Sequence, residues 1–328
     1  MNEQQTMLDD MTSALFAELG QTTPLAESWP KIDELGLPNL LVGVEAGGFG
    51  GSWQEALIVF RNAGFHALSA PLVEAILAAH VGSSLGFAGR GTIANCTDAS
   101  SSDGRFTGTL RGVVAADGAN FVVVPLADRG SMVVALDNTT RHERFSLSGE
   151  AHDVVSLIDA RAVRSPVDMM ALAAFARSAQ IAGALDASLA LSAGYVNERK
   201  QFGRMLAKFQ AVQQNLATFA CEAAAANCAT MAAAQALDRG DAGFEVAAAK
   251  LRCNRAVGVG TAIAHQAHGA IGFTAEYSLH PFTRRLWAWR SEFGNDSHWA
   301  DWLGGDVCAR GADGFWSHLT HLTDRMIA

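Results

Sequence analysis

After Pro166 the chain carries three long alanine- and leucine-rich stretches, Val167 to Glu198, Lys208 to Arg239 and Phe244 to Ala270, with Gly240 separating the second from the third. Alanine has the highest helix propensity and lets neighbouring helices approach closely, so these runs predict an antiparallel helix bundle. A last helix is expected within Asp296 to Met326. Ahead of the bundle the periodicity is different. Phe106 to Leu110, Phe121 to Leu126, Met132 to Leu136 and Val154 to Ile158 are short β-branched or aromatic runs. Turn pairs such as Asp103-Gly104, Asp117-Gly118, Arg129-Gly130 and Asp137-Asn138 punctuate them, as in antiparallel strands joined by tight turns. Before them the pattern is again helical. Leu8, Met11, Leu15 and Leu19 recur at spacings of three and four and Gly20 follows as a stop. Ser52-Trp53-Gln54-Glu55 reads as a capping box for a helix to about Gly64, and Pro71 opens another through Leu72, Ile76 and Leu77. The fold class expected is therefore mainly α with a small β domain: an N-terminal helical domain over 1–88, a central antiparallel β domain over 89–164 and a C-terminal antiparallel bundle over 165–328.

Composition narrows the function classes. Hydrophobic residues make up 49% and charged residues 17% of the 328, which favours a packed globule over a disordered chain. The net charge of −9, with no basic run interleaved with aromatics, argues against nucleic-acid binding. The cysteines Cys96, Cys221, Cys228, Cys253 and Cys308 are odd in number and show no C-x-x-C pairing, so neither zinc nor a disulfide framework is expected and a reducing cytoplasm fits. No signal peptide is visible at the amino terminus, and the apolar stretches are broken too soon to span a bilayer.

Several motifs read more plainly than they first suggest. Gly47-Gly48-Phe49-Gly50-Gly51 has neither phosphate-loop spacing and is expected to be a tight turn between helices. His265 and His268 share a helix face without an accompanying carboxylate, so packing is expected rather than a metal. Trp287, Trp289, Trp299, Trp302 and Trp316 are expected in the core or at a subunit interface.

Two segments carry more. Arg199-Lys200-Gln201-Phe202-Gly203, followed by Phe209-Gln210 and Gln213, resembles the acyl-CoA dehydrogenase family's signature around its cofactor arginine. Gln266-Ala267-His268-Gly269-Ala270-Ile271-Gly272-Phe273, then Glu276-Tyr277 and Arg284, resembles that family's second signature, and Glu45 to Gly50 its N-terminal glycine turn. The order of helical domain, β domain and bundle agrees, so the likeness runs through the chain. It implies a flavoprotein that introduces a double bond between Cα and Cβ of an acyl-CoA thioester, with FAD as cofactor, an acyl-CoA as substrate and an electron-transfer acceptor as partner. It further implies that Arg199 contacts the FAD pyrophosphate across a dimer interface, that Phe202 lies beside it, and that Gln266, Gly269 and Gly272 approach the adenosine and pyrophosphate from the neighbouring subunit. Ala270 stands where the family usually has glycine.

Two departures alter what the resemblance implies. Where the family begins its β domain with a Thr-Glu-Pro-Gly type segment that holds the flavin ring, this chain has Ile93 to Ser100, followed by a shortened β region. Counting from Arg284, the family's Tyr-Glu-Gly catalytic element falls on Glu292-Phe293-Gly294, which puts Phe293 where the base belongs; the alternative location falls near Ala173 and Ala174. Glu292 is the one nearby carboxylate, about 100° away around a helix, and is the candidate base; otherwise it is a solvated helix-end carboxylate. The pattern implies one half of a hetero-oligomer paired with a catalytically complete, related chain. Similar short subunits occur in α2β2 enzymes acting on CoA-linked side chains of sterols or bile acids. The alternatives are a homodimeric dehydrogenase using Glu292 and a non-catalytic scaffold.

Overall fold

The computed structural model describes residues 2–95 and 102–324, with side chains through residue 320. Four helices come first: α1 (Glu3–Leu19), α2 (Leu25–Glu34), α3 (Trp53–Phe65) and α4 (Leu72–Gly82). The capping box predicted at Ser52 is present, with Ser52 Oγ accepting from Glu55 N and the Glu55 carboxylate accepting from Ser52 N. Helix α2 has no counterpart among the sequence expectations, because Pro30 inside it reads as a breaker while only Ser28 and Ile32 are buried. The glycine turn joins a 3-10 turn at Val44–Ala46 to α3. Its amides are spent on the chain itself, Gly48 N on Gly43 O, Gly50 N on Val42 O and Gly51 N on Leu40 O, which leaves no cradle for a phosphate.

A sheet follows, built from β1 (Gly91–Ile93), β2 (Arg105–Val114), β3 (Phe121–Pro125), β4 (Ser131–Ala135), β5 (Thr140–His142) and β6 (His152–Ser165). Its order is β1-β3-β4-β6-β2, with β5 also on β6, and an isolated bridge between Ala94 and Val113 brings β1 back to β2. The sheet therefore curls around its own core of Phe106, Leu110, Val122, Val134 and Leu157. One expectation is corrected here. The sheet is mixed and not wholly antiparallel, because β1 pairs parallel with β3. A parallel neighbour requires a crossover, and β2 supplies it by running to the far edge of the sheet.

The C-terminal part consists of α5 (Met169–Glu198), a two-stranded hairpin β7 (Lys200–Gln201) and β8 (Arg204–Met205), α6 (Gln210–Arg239), α7 (Gly243–His268), α8 (Leu279–Ser291) and α9 (Asp296–Asp324). Helix α5 is the axis of the molecule. Its alanines, buried over nearly the whole length, pack on α3, α6, α7 and α8. Helix α8 has no counterpart in the sequence reading, because Arg284, Arg285 and Arg290 interrupt its apolar face. The tryptophans separate: Trp289 and Trp299 are core, Trp302 packs beside Arg129, and Trp287 and Trp316 are exposed. Among the described residues no helix is long and apolar enough to cross a membrane.

Candidate functional site

Arg199 caps the C-terminus of α5, its amide bonded to Tyr195 O and its carbonyl accepting from Leu206 N, both at 2.9 Å. The chain then makes the β7–β8 hairpin, whose two turn residues, Phe202 and Gly203, both have positive φ, as a tight twisted hairpin requires. This geometry holds Phe202 out in solvent, 89% exposed. Arg199 is exposed too, and its guanidinium has no ion-pair partner among the described residues. Gln266, on the last turn of α7, is exposed nearby, so Arg199 and Gln266 line one cavity of about 330 Å³ with Tyr195, Gln201, Asn215 and His268.

The two predicted glycines do different work at its edge. Gly269 ends α7 with φ +66° and ψ −145°, a backbone state that a side chain resists, and no atom would meet an added Cβ. Gly272 is buried, and a Cβ there would lie 3.0 Å from the His268 Cβ. The histidines are packing residues, as expected. His268 stacks on Tyr195 with ring centroids 4.6 Å apart and donates from Nδ1 to Ala264 O; His265 stacks on Phe273 at 4.0 Å. Burial lowers the pKa of both, which leaves the neutral imidazole favoured.

The region matched to the ring-holding segment and the base is arranged differently. Residues 96–101, which include most of the Ile93 to Ser100 replacement, lie outside the described residues. Ile93 to Asn95 are described, and Asn95 Oδ1 lies 3.4 Å from the Phe293 amide. Phe293 is 1% exposed, and its carbonyl accepts from Trp299 Nε1 at 3.0 Å. Asn95, the last described residue of the first segment, is thus in contact with the second.

Glu292 is not a solvated carboxylate. Only 5% exposed, it ends α8 with Oε2 held 2.7 Å from Arg177 Nε and Oε1 3.6 Å from His152 Nε2. Arg177, a lone cation in the alanine-rich run of α5, also pairs with Glu74 at 2.8 Å and bonds Gln180. Beside it Arg285 and the Trp289 indole hold Glu150. Burial alone would lower the Arg177 pKa, but Glu292, Glu74 and Glu150 outweigh it and raise the value. Burial likewise opposes ionisation of Glu150, yet Arg285 and Arg177 hold it below the usual carboxylate range. Sequence reasoning missed this cluster. Its one signal was an arginine where α5 is otherwise almost all small or apolar, and its partners lie on three other elements. Glu150, His152 and Glu292 also form the one described group close enough to share a metal ion. Arg177 and Arg285 already neutralise its carboxylates, so a divalent cation would meet two fixed positive charges there.

Residues 164–297 match the family model for the C-terminal domain of acyl-CoA dehydrogenases. Over those residues the chain is similar to the C-terminal domain of the acyl-CoA dehydrogenases. It is 38% identical over 104 residues to the probable acyl-CoA dehydrogenase FadE25 of Mycobacterium tuberculosis, a match spanning 31% of this chain and 26% of that protein, about a quarter of the relative's length. With the acyl-CoA dehydrogenase IpdE2 of the same organism it is 28% identical over 262 residues, 77% of each chain. Two solved structures share the fold: a variant of the Tcur3481-Tcur3483 steroid ACAD, with TM-score 0.84, 23% identity and coverage of 95% of this chain and 99% of that one, and the ChsE4-ChsE5 complex from Mycobacterium tuberculosis, with TM-score 0.83, 20% identity and the same coverages.

The acyl-CoA dehydrogenase fold implies FAD, and the two regions fit it unequally. The Arg199 cavity offers a free planar guanidinium, three carboxamides and an aromatic wall, donors and surfaces suited to a pyrophosphate and an adenosine. In the Asn95–Phe293 region the base position is a buried phenylalanine and the adjacent carboxylate, Glu292, is bound to Arg177.

Proposed function

We propose that this acyl-CoA dehydrogenase relative is a subunit that completes an FAD site on a second, related chain, where the α,β-desaturation of an acyl-CoA thioester takes place. The observation that carries the reading is the contrast between its two halves. Arg199 and Gln266 stand exposed at one cavity with Phe202 exposed on the hairpin that follows Arg199, while the chain's own base position is a buried phenylalanine. An arginine fork left free of carboxylates serves an anion supplied from outside, because it can give two parallel hydrogen bonds to phosphate oxygens.

The bound FAD would supply the hydride acceptor for the substrate's β hydrogen. This chain's residues would hold and orient it: Arg199 on the pyrophosphate, Gln266 on the adenosine side, and Gly269 and Gly272 letting backbone come close. Glu292, tied to Arg177, is not free to take an α proton, so the base comes from the partner chain. The reduced flavin would pass its electrons to a separate electron-transfer protein. The relatives that bear on substrate class are those whose names speak of steroids, and they favour a bulky acyl-CoA.

The test is co-expression with the related chain, followed by an absorbance spectrum of the purified complex. A yellow complex that oxidises acyl-CoA, with a colourless isolated subunit, is the expected result. Arg199→Ala in the complex should lower FAD retention by roughly tenfold or more, since a charge-assisted bidentate contact is lost. Full flavin content in that variant would remove Arg199 from the site, and a yellow, active isolated chain would overturn the shared-site reading.

A further inference from the structure

The carbonyls that close α8 are met from inside the protein by a lysine. Lys250, on α7, is 0% exposed, and its Nζ lies 3.1 Å from Trp289 O, 3.2 Å from Arg290 O, 3.1 Å from Gly294 O and 2.7 Å from Asn254 Oδ1. The last carbonyls of a helix have no partner within it, so the amine caps α8 and ties the loop beyond it to α7. Asn254 Nδ2 repeats the tie to Gly294 O at 3.4 Å. The loop needs such support. Phe293 and Gly294 have φ of +49° and +96°, a state that a phenylalanine resists, and a Cβ on Gly294 would run into the Trp299 indole.

A lysine sealed in this way lacks what normally holds an ammonium in a protein interior. Its bonds all go to neutral oxygens, and no carboxylate among the described residues forms an ion pair with it. The titratable groups that act on its charge are Cys253 on its own helix, Glu292 in the loop, Arg177 on α5 and Asp296 at the start of α9. Both acids are already engaged, Glu292 by Arg177 and Asp296 by Arg290 of α8. The Cys253 thiol is neutral, and Arg177 repels a second cation. An ammonium taken out of water without a counter-ion of its own is held at a cost, and opening the loop would relieve it.

We infer that Lys250 is a proton-linked latch on the 292–295 loop. The loop keeps its present shape while the amine is sealed behind it, and its opening, which admits water to the amine, takes up a proton. Burial pushes the sealed amine down to about 7, whereas a lysine in water keeps its proton to roughly pH 10. Between those values the open state binds the additional proton. Each rise of one pH unit there disfavours opening by about tenfold, and below about pH 7 the dependence vanishes. Phe293 and Glu292 travel with the loop, so a fall in pH toward neutrality loosens the segment that the family resemblance places at the base.

The test uses the full chain, whose four lysines are Lys31, Lys200, Lys208 and Lys250, the first three exposed. With [ε-13C]lysine incorporated, NMR should show three side-chain signals that titrate above roughly pH 9 and one that titrates near neutrality. Hydrogen exchange of peptides covering 289–299, corrected for its intrinsic pH dependence, then reads the opening. Expected is loop protection that is flat below about pH 7 and rises by about tenfold per unit above it, with α5 peptides better protected throughout, which marks the opening as local. Lys250→Met should leave loop exchange independent of pH. Asn254→Asp keeps the amine, gives it a carboxylate, and should move both the lysine signal and the onset of the pH dependence upward by roughly one unit, which decides the matter even where Lys250→Met does not fold. Four lysine signals titrating together above roughly pH 9, native loop exchange without pH dependence, loop protection equal to that of α5, or an unshifted midpoint in Asn254→Asp would each overturn the assignment.

Discussion

Single side chains in this protein take their chemistry from where the fold leaves them. Cys253 and Cys221 are alike in sequence, yet Cys253 is fully buried between α5 and α6 and burial pushes its thiol up to about 12, whereas Cys221, Cys228 and Cys308 are exposed. The thiolate is the reactive form, so iodoacetamide applied to the native protein at neutral pH should alkylate Cys221, Cys228 and Cys308 and spare Cys253 until denaturant is added. Peptide mass spectrometry reads the result, and prompt native labelling of Cys253 would show that α5 and α6 open readily there. Glu292 teaches the same lesson in the other direction. A carboxylate next to a helix end reads as solvated, and it became a buried counter-ion because Arg177, 115 positions earlier, points at it.

At the scale of elements, most of the helices were legible because their signals are local. The Ser52 box, the Gly20 and Gly240 stops and the long alanine runs each act within a few residues, and α3, α1 and α6 begin or end beside them. The start of α3 has a second support that no local pattern reveals. Asp238, near the end of α6, accepts from the Trp53 and Gln54 amides. Ser52→Ala should therefore destabilise the chain by about 1 kcal/mol, the usual cost of a lost N-cap, with α3 retained because Asp238 still satisfies two of its amides. Urea denaturation followed by circular dichroism measures it, and a loss of several kcal/mol would mean that the local cap outweighs the tertiary one. The elements missed, α2 and α8, are those whose patterns are broken from within: by Pro30 in the middle of one, and in the other by Arg285, buried against Glu150.

Across the whole molecule, the two halves of the proposed site differ in what restores them. If Phe293 were merely a lost base, Phe293→Glu would recover activity in the isolated chain. The contact with Asn95 and the Arg177 cluster predict otherwise: the variant stays colourless and inactive alone, and the paired enzyme carries one FAD for each pair of chains rather than one per chain. Flavin released by denaturation, quantified against protein, checks this, and one flavin per chain would show that this chain holds a flavin of its own in the assembly.

The sequence by itself determined the order of helical, β and helical parts and the turns that bound most helices. Those features depend on periodicity, caps and motif spacing, which are written within a few residues of one another. Only the tertiary structure decided that β1 runs parallel to β3, that Asn95 meets Phe293, and that Glu74, Arg177, Glu292, Glu150 and Arg285 gather into one buried cluster. Buried charges become stable only when distant parts of the chain bring opposite charges together, and no local pattern encodes that pairing.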